Sequence, residues 1–392
     1  MKKIRTDYYD YSLLAAIIIL VGFGLVMLYS TSAYMAEIRL GDDMYYFRKQ
    51  ALISIVSIGA AVAISMIDYH HLWKLGGIIY ITSIVLMAMV RFTPMGKKIN
   101  GARRWLKLGP VQFQPSEIAK IAIVVFIPIM IVKMGRMYRG WKAVIPPLFM
   151  GLVSAAATYF FTQNLSTAVI IFMMCCAIVF VAHPKTWGFL AALALGIGAV
   201  ALLVFLIAKN AGSSDAFRVM RVLVWLDPEK YSDKGGYQVL QGLYAIGSGG
   251  LFGKGLGNSA QKLGPVPEAQ NDMIFSIVCE ELGVFGAAVI ILLFIYLLYR
   301  LFFIAQNAPD LYGSLMVTGI FAHIASQVVL NIAVVLNLIP TTGITLPFFS
   351  YGGTSVLLLL MEISIALSVS RRIYFRQEER DLWGDVIGES GV

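Results

Sequence analysis

The chain has 392 residues, of which 59% are hydrophobic and 14% charged, and its mean hydropathy is +0.78. A water-soluble globular protein of this size has too little interior to bury that proportion of apolar side chains. Charge-free runs cover residues 11–36, 143–184 and 311–361, and roughly 20 apolar residues suffice to span a bilayer. The sequence therefore predicts an integral membrane protein, and the length of the runs excludes a transmembrane β-barrel.

The cysteines bear on disulfide bonds, and the net charge bears on the class of partner. The three cysteines lie in apolar segments, two of them adjacent at Cys175 and Cys176, so we expect no disulfide framework. A net charge of +9 would suggest nucleic acid in a soluble protein. In a membrane protein it fits loops beside anionic lipid headgroups, so membrane lipid is expected as a partner and nucleic acid is not.

Hydropathy predicts an all-α polytopic membrane protein with about ten transmembrane helices, forming one domain over residues 1–392 with a long extracytoplasmic loop at 209–270. An even number of spans puts both termini on one side. Lys2, Lys3 and Arg5 precede the first span, which indicates that this side is the cytoplasm. The spans are expected near residues 11–35, 50–68, 74–91, 117–133, 143–161, 165–182, 186–208, 271–300, 311–338 and 353–370.

Two segments on the predicted outer side are unusually basic. Residues 91–120 and residues 209–262 each carry seven Lys or Arg residues. Positive charge outside works against the usual orientation rule, so it indicates another use, such as holding an anionic ligand at the outer face. A solvated basic loop is the alternative.

The second basic segment is also rich in glycine, above all between residues 247 and 257. No Gly-Lys-Ser/Thr ending follows, and no strand precedes a GxGxxG pattern, so a nucleotide-binding loop is not indicated. Flexible turns and close backbone packing are expected. A loop of this length without clear secondary structure is often a working part of a protein.

Asp272 lies where this loop meets the eighth predicted span. A partly desolvated carboxylate at such a boundary is costly and suits a general base, whereas the alternative is a simple cap of the helix N-terminus. On a continuous helix Ser276 and Glu280 would share its face and Glu281 would point away. We expect the two glutamates to pair with polar groups on other helices.

A second group of polar residues precedes and opens the fourth span. Ser116 is placed to cap the helix, and Glu117 and Lys120 are three residues apart, which favours a structural ion pair. Equally, Arg104 and Lys120 could bind a diphosphate, with Trp105 against an acyl chain or sugar at the membrane interface.

The third group, residues 346–355, opens the tenth span with two glycines and several hydroxyl groups. Exposed backbone N–H groups at a helix N-terminus form an anion or headgroup site, and close helix packing through the glycines is the alternative. The four histidines are too scattered for a zinc site, and we expect His323 to hydrogen-bond to another helix.

Together these stretches resemble the SEDS family (shape, elongation, division and sporulation), which includes RodA and FtsW. The resemblance covers nearly the whole chain, and the stretches 271–283 and 341–355 look more like FtsW than RodA. It rests on Asn100-Gly101-Ala102-Arg103-Arg104-Trp105, Gln114-Pro115-Ser116-Glu117 with Lys120, Gly236-Tyr237-Gln238, Pro267-Glu268 with 271–275, Glu280-Glu281-Leu282-Gly283, and 347–355.

The resemblance implies an enzyme that polymerises lipid II into glycan strands at the outer face of the bacterial cytoplasmic membrane. It implies that Asp272 is the catalytic base on the acceptor's GlcNAc 4-hydroxyl, which attacks C1 of the donor MurNAc and expels undecaprenyl pyrophosphate with inversion. The expected partner is a class B penicillin-binding protein, a transpeptidase, within the division or elongation machinery.

The leaving diphosphate needs cations, for which Arg104 and Lys120 are candidates, with Mg²⁺ or Mn²⁺ as a candidate cofactor. The full set of candidate substrate-binding residues is drawn from the resembling stretches and the basic loop: Arg103, Arg104, Trp105, Glu117, Lys120, Arg218, Gln238, Ser350, Gly352, Gly353 and Ser355.

The chain departs from the family pattern at two places. Residues 163–166 read Gln-Asn-Leu-Ser where the family usually has Pro-Asp-Leu-Gly, which argues against an acid role at Asn164. Residues 270–272 read Gln-Asn-Asp where many members have His-Thr-Asp, which puts a proton-relay partner in doubt but keeps the proposed base.

Two other classes of function compete with an enzyme. Ten helices with intramembrane carboxylates also suit a lipid II flippase, although a flippase needs ionisable groups along a midplane path. A scaffold that only recruits a transpeptidase would leave Asp272 dispensable.

Overall fold

The structure, a computed structural model, describes residues 8–99, 102–109, 111–209, 217–267 and 269–374. Nine helices in this part of the chain are long and apolar enough to cross a membrane, and Thr354–Ser370 is a shorter apolar helix. The described residues contain twelve α-helices in all. They are α1 Tyr11–Leu40, α2 Tyr45–Ser65, α3 Leu72–Phe92, α4 Pro115–Met134, α5 Ile145–Thr162, α6 Leu165–Ala182, α7 Trp187–Lys209, α8 Phe217–Leu226, α9 Gly236–Gly249, α10 Ile274–Asn307, α11 Leu311–Val335 and α12 Thr354–Ser370.

The prediction of an all-helical multi-pass membrane protein is confirmed, with nine spans and the 17-residue apolar helix α12 where about ten spans were expected. The other two helices, α8 and α9, are shorter still. Both lie in the 209–270 loop, so the expectation of a loop without secondary structure was wrong. α8 carries Arg218 and Arg221 among apolar residues, a pattern typical of a helix that lies along the membrane surface. The Trp225 Nε1–H donates to the Asn337 main-chain oxygen at 3.0 Å, which ties α8 to the end of α11.

A small antiparallel sheet between α3 and α4 departs from the all-α expectation. Its strands, in the order β1-β2-β3, are β1 Gly96–Ile99, β2 Ala102–Leu108 and β3 Val111–Phe113. Side chains alternate across β2, so Leu106 is fully buried and its neighbour Lys107 is exposed. The strands are short and charged, which explains why hydropathy did not predict them.

Contacts at the helix ends assign each end to one of two faces. At one face the Asp10 N–H donates to the Ser370 hydroxyl at 3.3 Å, which brings the start of α1 to the end of α12. At the other face Gly353, before α12, donates its N–H to the side chain of Gln50 in α2 at 3.1 Å. We call this second face the sheet-bearing face, because β1, β2 and β3 lie there.

Helix α10 is broken at Gly283, whose φ of 67° and ψ of −169° suit only glycine. The glycine-rich segment hydrogen-bonds to the main chain just before the break. The N–H groups of Lys254 and Gly255 donate to the main-chain oxygens of Glu280 and Glu281, both at 2.9 Å. A Cβ on Gly253 would lie 2.2 Å from the Glu281 main-chain oxygen. Close backbone packing, one of the two expectations for these glycines, is therefore the observed use.

Helix α7 stands apart from the bundle. Its membrane-spanning window is 0% buried, and nearly all of its described side chains are exposed. Its first turn touches the bundle: a Cβ on Gly188 would lie 2.3 Å from the ring of Trp141, and the ring of Phe189 packs against Trp141 and Phe180. The core of the protein instead surrounds α4 and α11, whose membrane-spanning windows have the largest buried shares among the described spans, 56% and 50%.

Candidate functional site

The segments that carry Asp272 and Arg104 lie on the same face of the bundle. Asp272 precedes α10, and Arg104 lies in β2 of the sheet. The two regions are linked through the start of α12, where Thr354 hydrogen-bonds to the Gln112 main-chain oxygen at 3.4 Å and the Tyr351 N–H donates to Gln270 at 2.9 Å. The sheet-bearing face therefore gathers both candidate groups.

Asp272 lies in a turn rather than on a helix. Helix α10 begins at Ile274 with Met273 as its N-cap residue, so Asp272 is not the capping residue and does not share a helical face with Glu280. Its carboxylate is half-buried and faces Gly343, where a Cβ would lie 3.9 Å from Oδ2. The φ of Gly343 is +71°, a conformation that favours glycine.

The loop that passes Asp272, residues 336–353, is held by polar side chains from several elements. The Ser166 hydroxyl donates to the Thr342 oxygen at 2.8 Å, and the Arg221 guanidinium donates to the Thr341 oxygen at 3.1 Å. The Gln327 amide donates to the Thr345 oxygen at 2.9 Å. A loop fixed at three successive places presents a well-defined wall to whatever binds beside Asp272.

Arg104 is a partly buried cation that forms no ion pair with any acidic side chain in the described residues. Its Nε is buried and has no hydrogen-bond acceptor there, and burial lowers the pKa of the guanidinium. A buried donor without an acceptor is costly, so an anionic ligand would relieve that cost. Arg104 therefore has the properties expected of a phosphate-binding residue.

Lys120 is placed differently, deep inside the bundle. It is 3% exposed, and its ammonium lies 2.8 Å from Glu117 and 2.8 Å from Nε2 of His323. The other ring nitrogen of His323 lies 2.6 Å from Glu362 in α12, which confirms the expectation that His323 bonds to another helix. The structural ion pair expected for Glu117 and Lys120 is thus observed, and substrate binding by either residue stays a prediction.

The residues at the start of α12 have mainly structural contacts. The buried Ser350 hydroxyl donates to the Asn271 oxygen at 2.6 Å and accepts from the Leu346 N–H at 2.9 Å. The Gly353 N–H is engaged by Gln50, and the Ser355 N–H donates to the Gly352 oxygen at 2.7 Å. These contacts give the segment a structural use through hydrogen bonds. Close packing through the glycines is not seen, since among the described residues a Cβ on Gly353 would meet only Ile53, at 4.0 Å.

The remaining predicted substrate-binding residues lie on or near the same face. In β2, Arg103 is exposed and Trp105 is half-buried, while Gln238 is half-buried in α9. Arg218 is in α8, and its side chain lies outside the described part. Asn164, one of the departures from the family pattern, caps α6 by accepting the Thr167 N–H at 3.2 Å.

Glu280 and Glu281 are both fully buried and both paired with lysines of the preceding loop. Lys254 lies 2.6 Å from Glu280, and Lys262 lies 2.7 Å from Glu281. Ser30 of α1 also donates to Glu281 at 2.7 Å. Ser30 fits the expectation of partners on other helices, whereas Lys254 and Lys262 do not, because they belong to the loop that wraps the break in α10.

A cavity of about 260 Å³ opens between the end of α1, the start of α2 and residues 262–270. Its lining includes Arg39, Tyr46 and Gln270, which offer a guanidinium, an aromatic ring and an amide. These groups are typical of a carbohydrate or anion site, and Gln270 is two residues from Asp272.

A protein-built metal site does not fit the described residues. No group of three His, Cys, Asp or Glu side chains gathers at Asp272 or elsewhere among them. Divalent cations prefer several oxygen ligands, so the lone Asp272 carboxylate does not form such a site.

Sequence reasoning did not single out Asn331, which contacts Asp272 directly. Asn331 is fully buried in α11, and its amide donates to the Asp272 main-chain oxygen at 2.9 Å and to the Ile344 oxygen at 2.7 Å. An amide within an apolar span is the signal that would have found it.

Known proteins of similar sequence cover nearly the whole chain. The stage V sporulation protein E of Bacillus subtilis (strain 168) is 36% identical over 92% of this chain and 97% of its own. The probable peptidoglycan glycosyltransferase FtsW of the same organism is 33% identical over 97% of this chain and 95% of its own. The probable peptidoglycan glycosyltransferase FtsW of Trichlorobacter lovleyi is 34% identical over 94% of this chain and 95% of its own.

Solved structures agree with the sequence relatives. A chain from a peptidoglycan synthase complex, described as coordinating polymerization and crosslinking, matches with a TM-score of 0.74 and 29% identity over 93% of this chain and 98% of its own. The rod shape determining protein RodA of Thermus thermophilus matches with a TM-score of 0.67 and 27% identity over 94% of this chain and 98% of its own.

The family model of the FtsW, RodA and SpoVE cell cycle proteins matches residues 11–374, which include every described span. The predicted resemblance is thereby confirmed, and so is the multi-pass membrane architecture. With the fold, the sheet-bearing face and these relatives in agreement, this chain belongs to the FtsW/RodA/SpoVE family, the SEDS family.

Proposed function

We propose that this protein is a peptidoglycan glycosyltransferase of the bacterial cytoplasmic membrane that polymerises lipid II at the outer face, for division- or sporulation-related wall synthesis. The observation that carries the proposal is the gathering of Asp272 and Arg104 on one face of the bundle. The FtsW and sporulation relatives support the choice of wall synthesis in division or sporulation.

In the proposed reaction the carboxylate of Asp272 accepts the proton of the acceptor's GlcNAc 4-hydroxyl. The hydroxyl oxygen forms a bond to C1 of the donor MurNAc while the bond from C1 to the diphosphate oxygen breaks, and its electron pair leaves with undecaprenyl pyrophosphate. Attack from the face opposite the leaving group converts an α-linked donor into a β-linked product. One base then suffices, and no covalent enzyme intermediate forms.

Charge on the departing diphosphate needs a cation placed in advance, and we assign that task to Arg104. Its partly buried guanidinium forms no ion pair in the described structure and so is open to a ligand. Bidentate hydrogen bonds from arginine match phosphate oxygens in geometry as well as charge. Lys120 is already neutralised by Glu117, so we give it a supporting role behind Arg104.

We propose that Mg²⁺ or Mn²⁺ be added in the assay, and we assign it no step in the mechanism. A divalent ion that entered with the diphosphate would supply further stabilisation of the leaving charge. Because the described residues around Asp272 do not form a metal site of their own, every step above is assigned to side chains.

The proposed partner is a class B penicillin-binding protein, the transpeptidase that crosslinks the new strand. Support comes from the structural relative that is part of a peptidoglycan synthase complex. We also place both termini in the cytoplasm, which puts the sheet-bearing face, with Asp272, on the outer side.

A second candidate, lipid II translocation, is favoured by one observation. The buried chain of Glu117, Lys120, His323 and Glu362 lies within the spans, where a transporter would hold its ionisable groups. Every member of this chain is already engaged by another, which fits a structural role better than a path for a substrate.

The proposal is tested with purified protein in detergent or liposomes, with and without its transpeptidase and divalent cation, and with lipid II as substrate. We expect glycan polymer on a gel from the wild type. If no polymer forms under any of these conditions and lipid II moves across a liposome membrane, the protein is a flippase and not a glycosyltransferase. Absence of both would favour a scaffold.

A further inference from the structure

Three successive main-chain oxygens at the proposed catalytic residue each accept a hydrogen bond from the α11–α12 region. The Tyr351 N–H donates to Gln270 at 2.9 Å, the Ser350 hydroxyl to Asn271 at 2.6 Å, and the Asn331 amide to Asp272 at 2.9 Å. The turn before α10 is therefore held residue by residue, although it belongs to no helix or strand.

Asn331 has a special position among these donors. It is fully buried in the middle of an α11 turn, and its amide nitrogen donates to both Asp272 and Ile344, at 2.9 and 2.7 Å. Both acceptors are carbonyl oxygens, so the two hydrogens of the NH₂ group are used and the orientation of the amide is fixed. One side chain thus joins the catalytic turn to the loop that carries Gly343 beside the carboxylate.

We propose that Asn331 is a positioning residue for Asp272, with Ser350 as its second support. This inference rests on the proposed function, in which Asp272 is the base. Helix α11 is packed in the bundle, and a catalytic group hydrogen-bonded to such a helix keeps the geometry that proton transfer requires. Asn331 acts on the main chain of Asp272 and on the opposing loop, and it is fully buried.

Asn331→Leu removes both donated hydrogen bonds and keeps the branching and the number of heavy atoms of the side chain. Because small displacements of a reacting group cost about 100-fold in rate, we expect kcat for lipid II polymerisation to fall about 10- to 100-fold, with KM changed less than about 2-fold. Ser350→Ala should lower kcat in the same way, and Ser350→Thr, which keeps the hydroxyl, should recover most of it.

Asn307→Leu is the matched control, since Asn307 is an exposed asparagine at the opposite end of α10. Within the described part of the chain its side chain donates only to the Phe303 oxygen, at 2.8 Å. We expect wild-type kinetics from it. Thermal stability and lipid II binding are measured on every variant, so that loss of the fold is separated from loss of positioning.

Two results would overturn the inference. Wild-type kcat in a folded Asn331→Leu would mean that Asp272 needs no such support, and equal losses in binding, KM and stability would mean that Asn331 only maintains the fold. Asp272→Ala is assayed alongside. If that variant polymerises lipid II, the proposed function itself fails, and this outcome is distinct from failure of Asn331 alone.

Discussion

The ammonium of Lys120 in α4 lies 2.8 Å from Nε2 of His323 in α11, although both side chains are almost fully buried. The other ring nitrogen, Nδ1, lies 2.6 Å from Glu362 in α12, and Nε2 also lies 2.8 Å from the amide oxygen of Gln327 in α11. Three helices are joined by one imidazole ring, so the network is as much a part of the fold as the apolar core.

We expect His323→Leu to destabilise the protein by about 3 to 5 kcal/mol, the typical cost of breaking a buried charged network by removal of one partner. Glu362 would be left without its donor, while Lys120 would keep Glu117. The midpoint of denaturant unfolding in detergent measures the effect, and exposed His71→Leu serves as the control. An unchanged midpoint would mean that the network contributes nothing to stability.

Arg104→Ala should lower kcat/KM for lipid II by about 1.5 to 3 kcal/mol in free energy, since a charge-assisted hydrogen bond to the diphosphate is lost. The control is Lys107→Ala, an exposed cation on the opposite side of β2. Steady-state polymerisation kinetics of both variants decide the matter. Equal kcat/KM values for the two variants would mean that Arg104 does not bind the diphosphate and belongs to a solvated basic segment.

Gly283→Ala should be strongly destabilising, because φ of 67° with ψ of −169° is accessible almost only to glycine and the new Cβ would lie 2.4 Å from the Gly253 nitrogen. Strain of this kind costs about 1 to 3 kcal/mol before the clash is counted. Gly59→Ala, in the exposed part of α2 with open space around it, is the matched control. Comparable thermal midpoints for the two variants would mean that residue 283 does not adopt the glycine-only conformation that breaks α10.

A cysteine at Lys230, in the loop between α8 and α9, should be labelled by a membrane-impermeant thiol reagent in intact cells. The prediction follows from placing the sheet-bearing face outside, and Cys175, Cys176 and Cys279 are shielded within spans. A variant with a cysteine at Lys142, between α4 and α5, should label only after permeabilisation. The reverse pattern would invert the topology.

The spans were predictable because hydropathy depends on local composition, and α6 was predicted at both ends. The sheet was missed because its strands are short and charged, although alternation around Leu106 and the Asn100-Gly101 dipeptide, typical of hairpin turns, were present. The break at Gly283 was not predicted, since it depends on Gly253, which is distant in sequence.

For the site, the sequence singled out Asp272 and Arg104 through their chemistry and the family resemblance. It did not predict the role of Asn331, because the value of a buried amide depends on which carbonyl oxygens the fold places opposite it. The pairing of Glu117 with Lys120 was one of two alternatives that their spacing left open, whereas the contact of Lys120 with His323 joins residues 203 positions apart.

The role of Asp272 is measured most directly as the rate of lipid II polymerisation by Asp272→Asn, purified with its transpeptidase and compared with wild type. Asp233→Asn, an exposed acidic residue of the loop before α9, is the matched control. We expect no glycan polymer from Asp272→Asn, with lipid II binding and thermal stability close to wild type, and normal polymer from the control. Polymer formation by a stable Asp272→Asn would show that this carboxylate is not the base.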